Sequence, residues 1–251
     1  MKPFDVHVHF EAFKPKDVEK AIASAKKVLS GAINLGTYPK ANRIVLELAK
    51  KHKGFIWPAL SIHPIYLTKM TDAQVKEELK FISKQNIIAI GEAGLDYFWL
   101  KKVVKDTGKE KERQIKFFKE QIKLADKMNI PIIVHSRWST ARVCSILKEM
   151  EPKKALLHGF SGTLEQATEM VGSGYMISNG PRVRSYFKDL PLNKILLETD
   201  SPYQRIGKRK ALPKDIMLAV KELAKLKNIS EEKVIKQINK NVEKYFGIKV
   251  S

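Results

Sequence analysis

An α/β chain folding as a single (β/α)8 TIM barrel is what this sequence predicts, and three observations predict it. Short β-rich runs alternate with amphipathic helical stretches, and eight such runs can be counted, the number at which a parallel sheet with outer helices closes. The 251 residues match the usual length of such a barrel, and no Pro-, Gly- or Ser-rich linker divides them, so 1–251 reads as one domain. Five of the six histidines and two carboxylates stand in or at the ends of β-rich runs. Strand ends on one rim of a parallel barrel converge on one cavity, so these residues predict a divalent metal site at the C-terminal rim.

The elements follow in order. The first strand, near 3–9, alternates with period two. Phe4, Val6 and Val8 face the outer helices, while Asp5, His7 and His9 point into the barrel. A helix over 16–29 leads to a strand at 31–36, with Gly31 at the turn. The next helix, 40–52, is Lys-rich and places His52 in solvent. Gly54 turns the chain into strand 55–62, which delivers His63. Thr71 is the N-cap of helix 72–84, with Asp72 in its first turn. Strand 87–92 ends at Glu92; Gly91 and Gly94 permit a tight loop after it, braced by Asp96 and Tyr97.

Helix 111–128 has the clearest pattern. Ile115, Phe118, Ile122 and Ala125 recur at spacings of three and four, and Lys116, Lys119, Glu120 and Lys123 take the other face. Strand 130–135 ends at His135. Helix 139–150 carries Cys144, read as buried packing rather than a nucleophile. Strand 155–158 ends at His158, helix 163–171 follows, and Gly174 opens strand 174–178. Strand 194–199 leads to Asp200, with Glu198 on the same side by period two and suited to hydrogen-bond a ligand. Helices 213–226 and 231–245 complete the chain. Ser230, Glu231 and Glu232 start the last one, Gly247 stops it, and Asn241 within it reads as structural.

Composition bounds the function. Hydrophobic residues make up 43% and charged residues 29%, as in a soluble globular protein. No apolar run approaches the ~20 residues of a membrane span. Lys2-Pro3 leads straight into the first strand, so no signal peptide is predicted. One cysteine excludes an intrachain disulfide and fits a reducing, cytoplasmic setting. The formal charge is +20, from 47 Lys+Arg against 27 Asp+Glu. Such a charge attracts polyanions over a Debye length, about 8 Å at physiological salt. Charge alone leaves open a Lys-rich solvated surface of the thermophile kind.

The chemistry-bearing residues come in a definite order. His7-Val8-His9 lies on strand 1, Glu92 on strand 4, His135 on strand 5, His158 on strand 6 and Asp200 at the end of strand 8. The distinctive pieces are Gly91 to Tyr97, Pro131 to Arg137, His158 to Gly162 and Leu197 to Tyr203. This order resembles the metal centre of amidohydrolase-like barrels, and within them the chain resembles the TatD family of metal-dependent deoxyribonucleases, from Phe4 to Asn241. The resemblance implies that His7, His9 and Asp200 bind one divalent ion, that His135 and His158 bind a second, and that Glu92 bridges them. It implies that His63 lies beside the metals and contacts a substrate phosphate. Arg137, as a fork of donors, suits phosphate or a structural ion pair. Two ions about 3.5–4 Å apart activate a water for in-line attack on phosphorus. Asp200 is then the general base, and Glu92 and His63 complete the catalytic set. Zn²⁺, Mn²⁺ and Mg²⁺ all fit mixed nitrogen and oxygen ligands, with the imidazoles favouring the first two.

Three loops on the same rim carry positive charge: Lys101, Lys102, Lys105, Lys109 and Lys111 after strand 4, Arg182 and Arg184 after strand 7, and Arg205, Lys208, Arg209 and Lys210 after strand 8. With Phe98 and Trp99 available to stack on a base or to pack locally, this rim suits single-stranded DNA. Neither a membrane nor an obligate protein partner is implied. The chain departs from the family pattern at Gly159, where the family often has Cys. It departs at Phe98 and Trp99, where Arg often follows, and at Trp138, where an acidic residue is common. None of these is a predicted ligand, but all lie where substrate would. The leading expectation is therefore a two-metal deoxyribonuclease of the 3′-5′ exonuclease type. An enzyme acting on a small amide, lactone or phosphoester is the second reading, and a nucleic-acid-binding protein without catalysis is the third.

Overall fold

Eight parallel strands pair in the order of the sequence in the computed structural model, which describes residues 1–250. They are β1 (Phe4–Val8), β2 (Gly31–Gly36), β3 (Ile56–Leu60), β4 (Ala89–Asp96), β5 (Ile132–Arg137), β6 (Ala155–Leu157), β7 (Met176–Asn179) and β8 (Ile195–Leu197). Parallel neighbours require crossovers, and most are helical. The helices are α1 (Val18–Val28), α2 (Pro39–Lys51), α3 (Pro64–Leu67), α4 (Asp72–Ile82), α5 (Tyr97–Val103), α6 (Thr107–Met128), α7 (Thr140–Met150), α8 (Leu164–Gly172), α9 (Ile216–Lys227) and α10 (Glu231–Phe246). Between β7 and β8 the crossover is two short 3₁₀ turns, held down by the buried Phe187 and Leu190. After β8 a small hairpin, β9 (Arg205–Ile206) with β10 (Arg209–Lys210), stands on the rim.

The sheet closes between its first and last strands. Val8 bridges Ser201, the Asp200 N–H donates to the His7 carbonyl at 2.9 Å, and the His9 N–H donates to the Ser201 carbonyl at 2.8 Å. Below this seam Asp5 ties β1 to the end of β8. Its carboxyl accepts from the Thr199 N–H at 3.1 Å and hydroxyl at 2.6 Å. Burial still pushes that carboxyl up to about 7.

Capping follows the sequence closely. Thr71 accepts from the Gln74 N–H, and the Gln74 side chain answers to the Thr71 N–H, a full capping box. Ser230 accepts from the Lys233 N–H, and Gly247 ends α10 at φ +70°. Asn241 is structural, donating to the carbonyls of Leu192 and Ile195. Cys144 is buried and free.

Four expectations are corrected. β4 does not stop at Glu92 but runs to Asp96, so Gly91 and Gly94 are strand residues rather than loop residues. At Gly94, with φ +146°, a Cβ would overlap the His135 carbonyl, so only glycine lets β4 lie this close to β5. The Lys-rich loop after β4 is helical: Asp96 caps α5 through the Trp99 N–H, and Asp106 caps α6 through the N–H groups of Gly108 and Lys109. Gly31 is the first residue of β2, where a Cβ would strike the Phe4 ring. His52 is not solvated: its side chain is 11% exposed, with Nε2 3.3 Å from Glu19 and Nδ1 3.2 Å from the Lys26 amine.

Candidate metal centre

Glu92 is the hub of a buried cluster at the C-terminal ends of the strands. Its Oε1 lies 2.5 Å from His135 Nδ1 and 2.7 Å from His158 Nε2. Its Oε2 lies 3.5 Å from His7 Nε2 and 3.6 Å from His9 Nε2. Period two on β1 puts both histidines on the inner face, and their Nε2 atoms stand 3.1 Å apart. His7 stacks on His158 with ring centroids 3.9 Å apart.

Asp200 enters from the β8 side. Its Oδ1 is 3.8 Å from His7 Nε2 and 3.6 Å from His9 Nε2. It sits at φ +47°, and its carbonyl accepts from the N–H groups of Tyr203 and Gln204, which fixes the turn. His63 arrives from the end of β3. Its Nδ1 accepts from the Ile65 N–H at 3.2 Å, and its Nε2 faces Glu92 Oε1 at 3.7 Å.

Three further carboxylates orient the imidazoles from behind. Glu11 Oε1 is 3.0 Å from His9 Nδ1, Glu198 Oε1 is 3.4 Å from His158 Nδ1, and Asp96 Oδ2 is 3.3 Å from His135 Nε2. Ser178 in turn donates to Glu198 at 2.5 Å. Of these, only Glu198 was legible as an orienting group; Asp96 read as a loop brace and Glu11 was missed. The one signal for Glu11 is its place two residues after His9.

The donor chemistry fits divalent ions. Three sets of nitrogen and oxygen atoms each lie within 4.8 Å of one another: His7, Glu92 and His158; His7, His9 and Asp200; His63, Glu92 and His135. Among the described residues, every ion-pair partner of Glu92 and Asp200 is a histidine, so no lysine or arginine neutralises the cluster. Protons feel the same demand for positive charge. Burial alone would lower His9 and His158, yet Glu11 raises the first well above its ordinary value and Glu92 raises the second. Burial would raise Glu92, but His158, His135, His63 and His7 hold it well below the usual carboxylate range. His63, by contrast, is lowered to about 3 by burial and by His135 beside it.

The cluster opens into a cavity of about 300 Å³, lined among others by His63, Tyr66, Asp96, Trp99, Arg137 and Tyr203. Tyr66 and Tyr203 carry no metal-ligand pattern and were missed. Arg137 is exposed and lies over Phe98, its guanidinium carbon 4.4 Å from the ring centre, rather than in an ion pair. Arg182 and Arg184 are exposed on the loop after β7 and do not line this cavity. Arg209 makes two 2.7 Å bonds to Asp215, which commits it to the rim hairpin.

A barrel with this rim defines a metal-dependent hydrolase. A family model described as TatD related DNase matches residues 4–247, and the chain belongs to that family. It is 31% identical to human deoxyribonuclease TATDN3, over 96% of this chain and 93% of that protein. It is 25% identical to the 3′-5′ ssDNA/RNA exonuclease TatD of Pantoea ananatis, over 98% and 99%. The crystal structure of YjjV, a TatD homologue from Escherichia coli, superposes with a TM-score of 0.86 at 29% identity, covering 98% of both chains. No helix among the described residues is long and apolar enough to cross a membrane.

Proposed function

We propose that the chain is a two-metal deoxyribonuclease that removes nucleotides from the 3′ end of single-stranded DNA. The observation that carries this reading is the division of Glu92: one oxygen faces His135 and His158, the other faces His7 and His9, with Asp200 beside them. His7, His9 and Asp200 would hold one ion, His135 and His158 the other, and Glu92 both. Bound ions of this kind supply an acidified water and offset charge that develops on the oxygens of phosphorus. The identity of the metal is left to Zn²⁺, Mn²⁺ or Mg²⁺ by the donor set.

The chain's own groups do the rest. Asp200, with Oδ1 3.8 Å from His7 Nε2 and 3.6 Å from His9 Nε2, would take a proton from the attacking water. His63 stays neutral near pH 7, and because its Nδ1 accepts from the backbone, its proton resides on Nε2. His63 lines the cavity with Nε2 3.7 Å from Glu92 Oε1, and that N–H would donate to a phosphate oxygen held there. Arg137, on the open side, would grip the next phosphate with its fork. Arg182 and Arg184 would meet the strand further out on the rim. Homologues named deoxyribonuclease and 3′-5′ ssDNA/RNA exonuclease support a nucleic-acid substrate.

A second reading rests on the cavity volume of about 300 Å³, at the low end for small-molecule sites, which would suit a small phosphoester, lactone or amide. The experiment follows 5′- and 3′-labelled single-stranded DNA with metal-stripped protein given Mg²⁺, Mn²⁺ or Zn²⁺. Stepwise shortening of the 5′-labelled strand by wild type, and none by Glu92→Gln, is expected. No cleavage with any metal sinks the nuclease reading in favour of the small substrate.

A further inference from the structure

We propose that Trp99 and Trp138, braced by Phe98, form a stacking platform for an unpaired base of the substrate strand beside the metal centre. The proposal rests on the nuclease reading above and names the feature that would select single strands over duplex.

The platform grows from the strands that carry the site. β4 bears Glu92 and β5 bears His135, and their register pairs Asp96 with Arg137. Immediately beyond that pair come Phe98 and Trp99 on one side and Trp138 on the other. Trp138 is three residues past His135, so at most about 11 Å of chain separates their Cα atoms. Trp99 and Arg137 line the same cavity as Glu92 and His135.

Packing does not account for the rings. Trp99 is 41% exposed and Trp138 66% exposed, whereas Trp57 on β3 is only partly exposed. Phe98 meets both in edge-to-face fashion, at 5.2 Å and 80° with Trp99 and at 4.8 Å and 75° with Trp138. Edge-to-face contacts fix the tilt of both rings, and the faces carry long cationic side chains, Lys101 over Trp138 and Lys102 over Trp99, that a stacking base would displace. Trp138 also sits at φ +57°, a left-handed conformation that a bulky side chain adopts at a cost. The fold therefore holds a large apolar ring outward in a disfavoured backbone state, which gains nothing in the core.

Cations surround the rings. Lys102 Nζ lies 4.2 Å from the Phe98 centre and 4.5 Å from the Trp99 centre, and Lys101 Nζ lies 5.4 Å from the Trp138 centre. Arg137 covers Phe98 and reaches to 5.6 Å from Trp99. Flat apolar faces interleaved with positive charge match a strand whose bases are splayed and whose phosphates run alongside. In a duplex those base faces are occupied by their neighbours, so only an unpaired strand can use the platform.

The test compares wild type with Trp138→Ala, Trp99→Ala and the conservative Trp138→Phe, all metal-loaded. The substrates are a short oligothymidylate and the same backbone made abasic two nucleotides from its 3′ end. On mixing, oligothymidylate should quench tryptophan fluorescence before turnover, and Trp138→Ala should lose most of that signal. Each alanine variant should raise KM for oligothymidylate about tenfold with kcat little changed and leave the abasic strand nearly unaffected, whereas Trp138→Phe should keep the KM near that of wild type. Equal losses on the abasic strand, or an unchanged KM on both, would overturn the platform while leaving the nuclease intact. A wild type that neither binds nor cuts either strand would overturn the nuclease reading and the platform with it.

Discussion

Asp96 holds the far nitrogen of His135. Its Oδ2 stands 3.3 Å from Nε2, on the side of the ring opposite Glu92, while Oδ1 accepts from the Trp99 N–H at 2.8 Å. One carboxylate thus aims a candidate ligand and starts the helix that carries the rim aromatics. Burial would raise Asp96, but the bond from His135 wins and keeps it below its ordinary value. Asp96→Asn can still cap α5, because an amide oxygen accepts as well as a carboxylate one. It removes the charge that fixes and polarises the imidazole. Metal affinity is expected to fall about 10- to 100-fold with thermal stability nearly unchanged. Titrating metal-stripped protein while following activity and melting temperature checks this. Unaltered affinity would reduce Asp96 to a cap.

Glu92 faces five imidazoles and, among the described residues, has no lysine or arginine partner, so a bound cation should stabilise the fold through it. Metal at a hundredfold excess over its dissociation constant adds about 2.7 kcal/mol. For a chain of this size that is a rise of roughly 5–10 °C in melting temperature. Glu92→Gln is expected to lose both that rise and turnover. Calorimetry with and without Zn²⁺ or Mn²⁺ gives the answer, and an equal rise in the variant would move the ions elsewhere.

Basic residues on one rim need not share one task. Arg137 has its guanidinium free above Phe98, whereas Arg209 is clamped by Asp215. Arg137→Ala should therefore flatten the dependence of log affinity on log salt by about 0.7 for a single strand, as expected for one lost phosphate contact. Arg209→Ala should leave that slope alone and loosen the hairpin after β8. Binding isotherms at several salt concentrations separate the two. A slope change in Arg209→Ala would mean that its pairing with Asp215 yields to phosphate.

The barrel was legible because it follows from short periods, and so was the gathering of His7, His9, His63, Glu92, His135, His158 and Asp200 on one rim. His7 and His9 lie two apart on a strand, so both face inward, and His135 and His158 end apolar runs. What escaped the sequence depends on contacts between distant segments. Glu11 matters because β1 turns back to place it behind His9, and Asp96 matters because β4 continues four residues further than its apolar run. His52 was misplaced for the same reason: its helix looked solvated, but Glu19 on α1 covers it. Pattern fixes which face a side chain takes, and only packing fixes which neighbour it meets.

Cys144 gives a pH test that is independent of the site. It lies on the buried face of α7, and burial pushes its thiol up to about 11 from an ordinary 9. Below pH 9 the thiol is protonated in both folded and unfolded chains, so it contributes no pH dependence. Between pH 9 and 11 the unfolded chain releases the proton first, and stability falls as pH rises. The loss should approach about 2–3 kcal/mol by pH 11. Lysines and tyrosines titrate in the same window, so the measurement is a difference: urea midpoints of wild type against Cys144→Ala from pH 8 to 11. Cys144→Ala starts lower because it leaves a small cavity, and its deficit should shrink as the pH climbs. A constant deficit would mean that the thiol ionises as readily in the fold as in the open chain. In that case Ellman's reagent should also modify native protein at pH 8, where the buried thiol is otherwise expected to stay unreactive until the chain is unfolded.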